Sequence, residues 1–131
     1  MFYETVTFCP VQIGIPTLII NNAALTTRKS FLEHSGSEIS DMFSTNVVGP
    51  MFLIMEFLPC LIASPIQNHH IVGISSIVGL LGRPNMVPYS ATKFALTGFM
   101  EGLRQELIRD GVIKMNYMVI LPFLICCHWP R

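Results

Sequence analysis

Charge is scarce in this sequence. Only 12% of its 131 residues are Asp, Glu, Lys or Arg, against about 25% in an average globular domain. The eight basic and eight acidic residues cancel. There is therefore no excess of basic residues to release counterions from phosphates, which argues against nucleic acid as a partner. A long uninterrupted apolar run is also missing. Residues 51–66 come closest, but Glu56, two prolines and Ser64 interrupt them, so no membrane-spanning helix is expected. Residues 1–7 carry Glu4 and no basic start, unlike a secretory signal. Metal-ligand spacing is absent from the four cysteines, Cys9, Cys60, Cys126 and Cys127, and they form no disulfide framework. The adjacent Cys126 and Cys127 could bridge each other only with strain. Reduced, incidental thiols are expected, with acylation of that pair as the alternative. His69 and His70 read as a loop pair before a strand, and without a third ligand they make no metal site.

Apolar residues are abundant, 51% of the chain, which with zero net charge excludes disorder and points to one folded domain. Three short apolar runs, at 16–20, 70–74 and 115–121, are rich in Ile, Val or Leu. Each is too short for a helix and reads as a strand buried on both faces of a parallel sheet. Between them lie two helical segments. The first, near 37–62, has Ile39, Phe43 and Val47 at four-residue spacing. The second, near 88–109, carries Phe94, Gly98, Leu103 and Leu107 on neighbouring stripes and stops at Asp110-Gly111 after a basic last turn. Pro50 lacks an N–H, so the Asn46 carbonyl loses its helical partner and a bend near Gly49 is expected. The order strand, helix, strand, helix, strand makes two right-handed crossover units: an α/β fold, a partial Rossmann-like doubly wound parallel sheet.

Chemistry concentrates at Ser76, Tyr89 and Lys93. Tyr89 and Lys93 are four residues apart and so share one helix face. A tyrosine of ordinary pKa, about 10, is a poor base near neutrality. An ammonium one turn away is expected to favour the phenolate and lower that value. Ser76 follows the end of the second strand, where open α/β sheets place their ligand crevice. Its hydroxyl can donate to a substrate oxygen while Tyr89 takes or gives a proton.

The stretch from Ser75-Ser76-Ile77-Val78-Gly79 through Tyr89-Ser90-Ala91-Thr92-Lys93 closely resembles the active-site signature of the classical short-chain dehydrogenases/reductases. Asn21-Asn22-Ala23-Ala24 resembles that family's Asn-Asn-Ala-Gly motif, with Ala24 in place of glycine. Thr45-Asn46-Val47-Val48-Gly49 resembles the segment supplying its catalytic asparagine. The flavour around Phe57-Leu58-Pro59 is similar to the retinol and hydroxysteroid branch. The resemblance covers roughly residues 11–123, with 1–14 and 124–131 outside its clear part, and implies one partial domain over 1–131. It implies four catalytic residues: Ser76 positioning the substrate oxygen, Tyr89 as general acid/base, Lys93 lowering the tyrosine pKa, and Asn46 anchoring a water. It also implies an NAD or NADP cofactor, with Tyr89 and Lys93 at the nicotinamide ribose and Asn21 and Ala23 along the dinucleotide. The implied substrate is a small lipophilic alcohol or ketone. The setting is intracellular, either cytoplasmic or associated with the endoplasmic reticulum or lipid droplets. Homo- or heterodimers would form through the helices near 37–62 and 88–109.

Two departures shape what to expect of activity. Nothing in residues 1–14 resembles the Gly-rich turn whose backbone amides approach the pyrophosphate. From Leu124 onward the sequence resembles nothing in the family. The expectation is an oxidoreductase impaired as this chain. The alternatives are a non-catalytic dimerisation module and a nonfunctional truncated product.

Overall fold

The computed structural model describes residues 14–65, 68–112 and, as backbone, 115–120. Strand β1 spans Leu18–Asn21, β2 His69–Ile74 and β3 Met115–Ile120. All pair in parallel in the order β1-β2-β3, with Asn21 opposite Gly73 and Gly73 opposite Val119. Asn21, Ile74 and Ile120 thus end at one edge, where a crevice is expected. The expected α/β fold is present, with strands shifted by one or two residues. β1 starts later than residue 16 because Pro16 has no N–H for the ladder. Its carbonyl instead faces the His69 ring at 3.0 Å, while Thr17 accepts the His70 N–H at 2.9 Å. His69 and His70 therefore belong to the strand, which corrects the loop reading, and His69 is fully buried.

The first helical segment opens at a capping box, in which Ser35 and Glu38 exchange hydrogen bonds. It runs as α1, Gly36–Phe43, a π-helical turn, Ser44–Val48, and α2, Gly49–Ala63. At Pro50 the ladder slips, and the Gly49 N–H reaches the Ser44 carbonyl. Neither Glu56 nor Pro59 breaks α2. By length and composition alone the stretch Gly36–Ala63 could cross a membrane, which the interruptions in the sequence had argued against. Here Ile54 and Leu61 pack with Ile19, Ile71, Leu96 and Met100 in the core between sheet and helices. Cys60 is buried in α2. Cys9, Cys126, Cys127 and the remaining calls on residues 1–13 and 121–131 lie outside the described residues.

After β2 the chain makes a short 3₁₀ turn, Ile77–Gly79, and then enters α3, Val87–Arg109. The turn lies against α3 so closely that a Cβ on Gly79 would stand 2.6 Å from Ser75 Oγ and 2.9 Å from the Lys93 carbonyl oxygen. Both atoms are held: Ser75 Oγ donates to that carbonyl at 3.1 Å and shares a hydrogen bond with Thr97 Oγ1 at 2.8 Å. A Cβ on Gly73, by contrast, would meet only the flexible Met100 side chain, at 3.0 Å. Gly79→Ala is expected to destabilise the chain by about 1–3 kcal/mol and Gly73→Ala by clearly less. Urea denaturation of the two variants decides, and equal losses would contradict the close-approach argument.

Candidate active site

Ser76, Tyr89 and Lys93 converge. Ser76 caps the 3₁₀ turn, its hydroxyl accepting the Val78 N–H at 3.4 Å, and its side chain lies near enough to the Tyr89 phenol to draw the phenol's pKa down. Lys93 lies one turn further along α3, its Nζ 5.6 Å from the centre of the Tyr89 ring. That amine donates to the Ile74 carbonyl at 2.8 Å. All three side chains are thus gathered at the carboxyl end of β2, and the residues are only 2%, 7% and 2% exposed. Proline at the start of α3 and the tight turn before it aim the helix at this end of the strand.

Burial dominates the electrostatics. It pushes the Tyr89 phenol above its ordinary value, and Ser76 pulls it partly back. It holds the Lys93 amine below the ordinary lysine value. The expected lowering of the tyrosine by the lysine is not seen. The amine is engaged by the Ile74 carbonyl and stands over the ring face, so burial wins over charge.

Asn46 is fully buried in the π-helical turn, and its side-chain oxygen and both Nδ2 hydrogens have partners. Its Oδ1 accepts the Leu25 N–H at 2.7 Å, and Nδ2 donates to the Leu25 carbonyl at 2.8 Å and to Thr92 Oγ1 at 3.0 Å. Asn46 is thereby joined to the helix that carries Tyr89 and Lys93. Asn21 ends β1 opposite Gly73, and Ala23 follows it two residues on. They line an apolar cavity of about 390 Å³ beside Thr45, Gly49, Pro50 and Leu53. Asn21 is buried and its Nδ2 has no partner, while Ala23 is exposed. Ser75, Thr92, Thr97 and Gly79 also hold the site. Their small side chains carry no signal by type, and only their places inside or beside the Ser76 to Lys93 motif could have marked them.

The two shifts oppose each other in alkaline solution. Lys93, lowered in the folded state, contributes stability that is present above the unfolded value near 10.5 and lost as pH falls through its folded value. Tyr89, raised, contributes stability present below 10.0 and lost as pH rises through its folded value. In Lys93→Met the rise in stability between the lowered lysine value and 10.5 is expected to vanish, with stability at neutral pH kept or increased because a buried charge is gone. Denaturant midpoints across that range test this, and an undiminished alkaline rise would contradict it.

The arrangement can be set beside known proteins. The short chain dehydrogenase family model matches residues 4–123. Dehydrogenase RED3 of Cochliobolus heterostrophus is 42% identical over 95 residues, covering 72% of this chain and 47% of RED3. Human 17-beta-hydroxysteroid dehydrogenase 13 is 32% identical over 124 residues, covering 94% of this chain and 40% of the relative. Mouse epidermal retinol dehydrogenase 2 is 32% identical over 115 residues, covering 87% and 36%. The chain thus spans less than half the length of these relatives. Among solved structures, 4-hydroxyisoleucine dehydrogenase complexed with NADH and succinate superposes with a TM-score of 0.78 at 26% identity, over 88% of this chain and 52% of that one. A short chain dehydrogenase/reductase from Burkholderia phymatum in complex with NAD gives 0.75 at 28%, over 81% and 37%. The chain belongs to the short-chain dehydrogenase/reductase family of oxidoreductases, with retinol and hydroxysteroid dehydrogenases among its relatives.

Proposed function

We propose that the chain carries the acid/base centre of an NAD(P)-dependent oxidoreductase interconverting an alcohol and its carbonyl compound, with a small lipophilic, retinol- or steroid-like substrate. The observation that supports this best is the joint burial of Ser76, Tyr89 and Lys93 at the end of β2, with the Lys93 amine over the Tyr89 ring and bonded to the Ile74 carbonyl. Ser76 donates to the substrate oxygen and fixes its distance from the phenol. Tyr89 is the catalytic acid/base; raised by burial, it is protonated at neutral pH and ready to give its proton to a carbonyl oxygen. To act as base on an alcohol it needs the Lys93 amine turned from the Ile74 carbonyl toward the phenol oxygen. Asn46 holds the loop after β1 against α3 and anchors a water leading from Lys93 to solvent.

NAD or NADP would supply or accept the hydride. Two donors suit a ribose. Lys93 has N–H groups beyond the one given to Ile74, and Asn21 Nδ2 is a buried donor without an acceptor. Lys93 and Tyr89 are assigned to the nicotinamide ribose, and Asn21 and Ala23 to the length of the dinucleotide. A single partial domain over 1–131, acting inside the cell in the cytoplasm or on endoplasmic reticulum or lipid droplets, goes with this reading. So does association of two chains through α2 and α3, where Phe52, Met55 and Phe94 are 61%, 58% and 46% exposed. The buried, motif-matched cluster favours an oxidoreductase over an interaction module or a nonfunctional product.

Orientation of the reacting carbons can be worth roughly 7–11 kcal/mol, and this reading takes the pyrophosphate contacts that supply part of it to be missing from residues 1–14. The 131-residue chain by itself is therefore expected to show no micromolar affinity for NADH or NADPH by calorimetry. With millimolar cofactor and excess protein, single-turnover assays on retinol- and steroid-type alcohols are expected to show a slow wild-type rate. Tyr89→Phe abolishes it, and Ser76→Ala lowers it by about 10²-fold or more. A wild-type rate no higher than that of Tyr89→Phe would remove the acid/base assignment.

A further inference from the structure

Thr92 sits between Tyr89 and Lys93 in sequence and is fully buried. Its hydroxyl has one proton and accepts at its lone pairs, and both functions are used. It donates to the Tyr89 carbonyl at 2.7 Å and accepts from Asn46 Nδ2 at 3.0 Å. Asn46 in turn holds both the N–H and the carbonyl of Leu25, in the loop that follows β1. One hydroxyl thus connects the loop beyond β1, the π-helical turn and the first turn of α3. No other hydrogen bond among the described side chains joins Asn46 to α3.

We infer that Thr92 is a positioning residue for the reaction. Acting through Asn46 on one side and the Tyr89 carbonyl on the other, it sets the seating of α3 at which the Tyr89 phenol meets Ser76. The inference rests on the reading of Tyr89 and Ser76 as the reacting pair. Its physical basis is the stake in a buried polar chain. Removing the hydroxyl leaves an Asn46 side-chain N–H and the second bond at the Tyr89 carbonyl without their partner, at two residues with no exposed surface. Asn46 can regain a partner only by turning, which loosens its hold on Leu25, or by letting the first turn of α3 move. Either change is felt at the phenol before it is felt at Lys93, whose carbonyl has its own ties to Ser75 and Thr97.

The test needs no turnover. Tyrosine isotope-labelled at Cζ gives a signal at neutral pH that reports the hydrogen bonding of the phenol, and Tyr89→Phe identifies the Tyr89 signal. In wild type, Ser76→Ala is expected to shift that signal. In Thr92→Val, which keeps the shape and loses the hydroxyl, the same Ser76→Ala change is expected to produce no further shift. In Thr92→Ser, which keeps the hydroxyl, the dependence on Ser76 should return. Circular dichroism establishes that each variant folds, and Thr92→Ala, which removes the same two bonds, replaces Thr92→Val if that variant does not. A Ser76 effect of equal size in Thr92→Val overturns the proposal, as does its loss in Thr92→Ser, which would assign the role to the methyl group. A wild-type signal indifferent to Ser76→Ala would instead refute the reacting pair itself, and the proposal with it.

Discussion

Lys93 carries an amine on a residue that is only 2% exposed, and withdrawing an ammonium from water costs several kcal/mol unless acceptors replace the lost hydration. The acceptor provided is a main-chain one, the Ile74 carbonyl at the end of β2. That single contact constrains much of what surrounds it. For the amine to reach a strand end, α3 must pass close to the turn after β2, and the turn can come that close only with glycine at position 79. Ser75 and Thr97 then tie the Lys93 carbonyl at the same crossing. The lysine is gripped at both its backbone and its tip.

The same burial decides the protonation state of Tyr89. Its phenol is held neutral by burial, and Ser76 offsets that only in part. The Lys93 amine bonds the Ile74 carbonyl and stands over the ring face, and burial outweighs its effect on the phenol. The ring face is an attractive place for a cation in its own right. The Ile74 carbonyl and the phenol oxygen therefore compete for one amine, and a group that drew Lys93 off Ile74 would alter Tyr89 as well.

A second constraint comes from Pro50. By removing one N–H it disturbs the helical ladder just where Asn46 sits, and the chain answers with a π-helical turn within a continuous helix. Such turns widen the helix and present side chains at angles that a regular α-helix does not offer. Asn46 uses the position to reach Leu25 in one direction and Thr92 in the other. Its amide is entirely consumed in holding two elements together, a structural duty that its residue type alone does not announce.

Much was legible in the residues. Apolar runs of Ile and Val can be satisfied only in strands covered on both faces, and the four-residue spacing of Tyr89 and Lys93 can bring two side chains together only on a helix. Hence the α/β order, the parallel sheet and the shared face of Tyr89 and Lys93 follow from local periodicity. Local periodicity says nothing about which partner a buried polar group finds. The amine could have faced the phenol oxygen or a carbonyl, His69 could have stood in a loop or closed onto Pro16, and Thr92 could have been a spacer. Those outcomes depend on distances between segments far apart in sequence, such as Leu25, Asn46 and Thr92. The sequence by itself determined the elements and the chemical groups they carry. Only the tertiary structure decided how each buried donor is satisfied, because hydrogen bonds across the core exist only once the helices have been packed against the sheet.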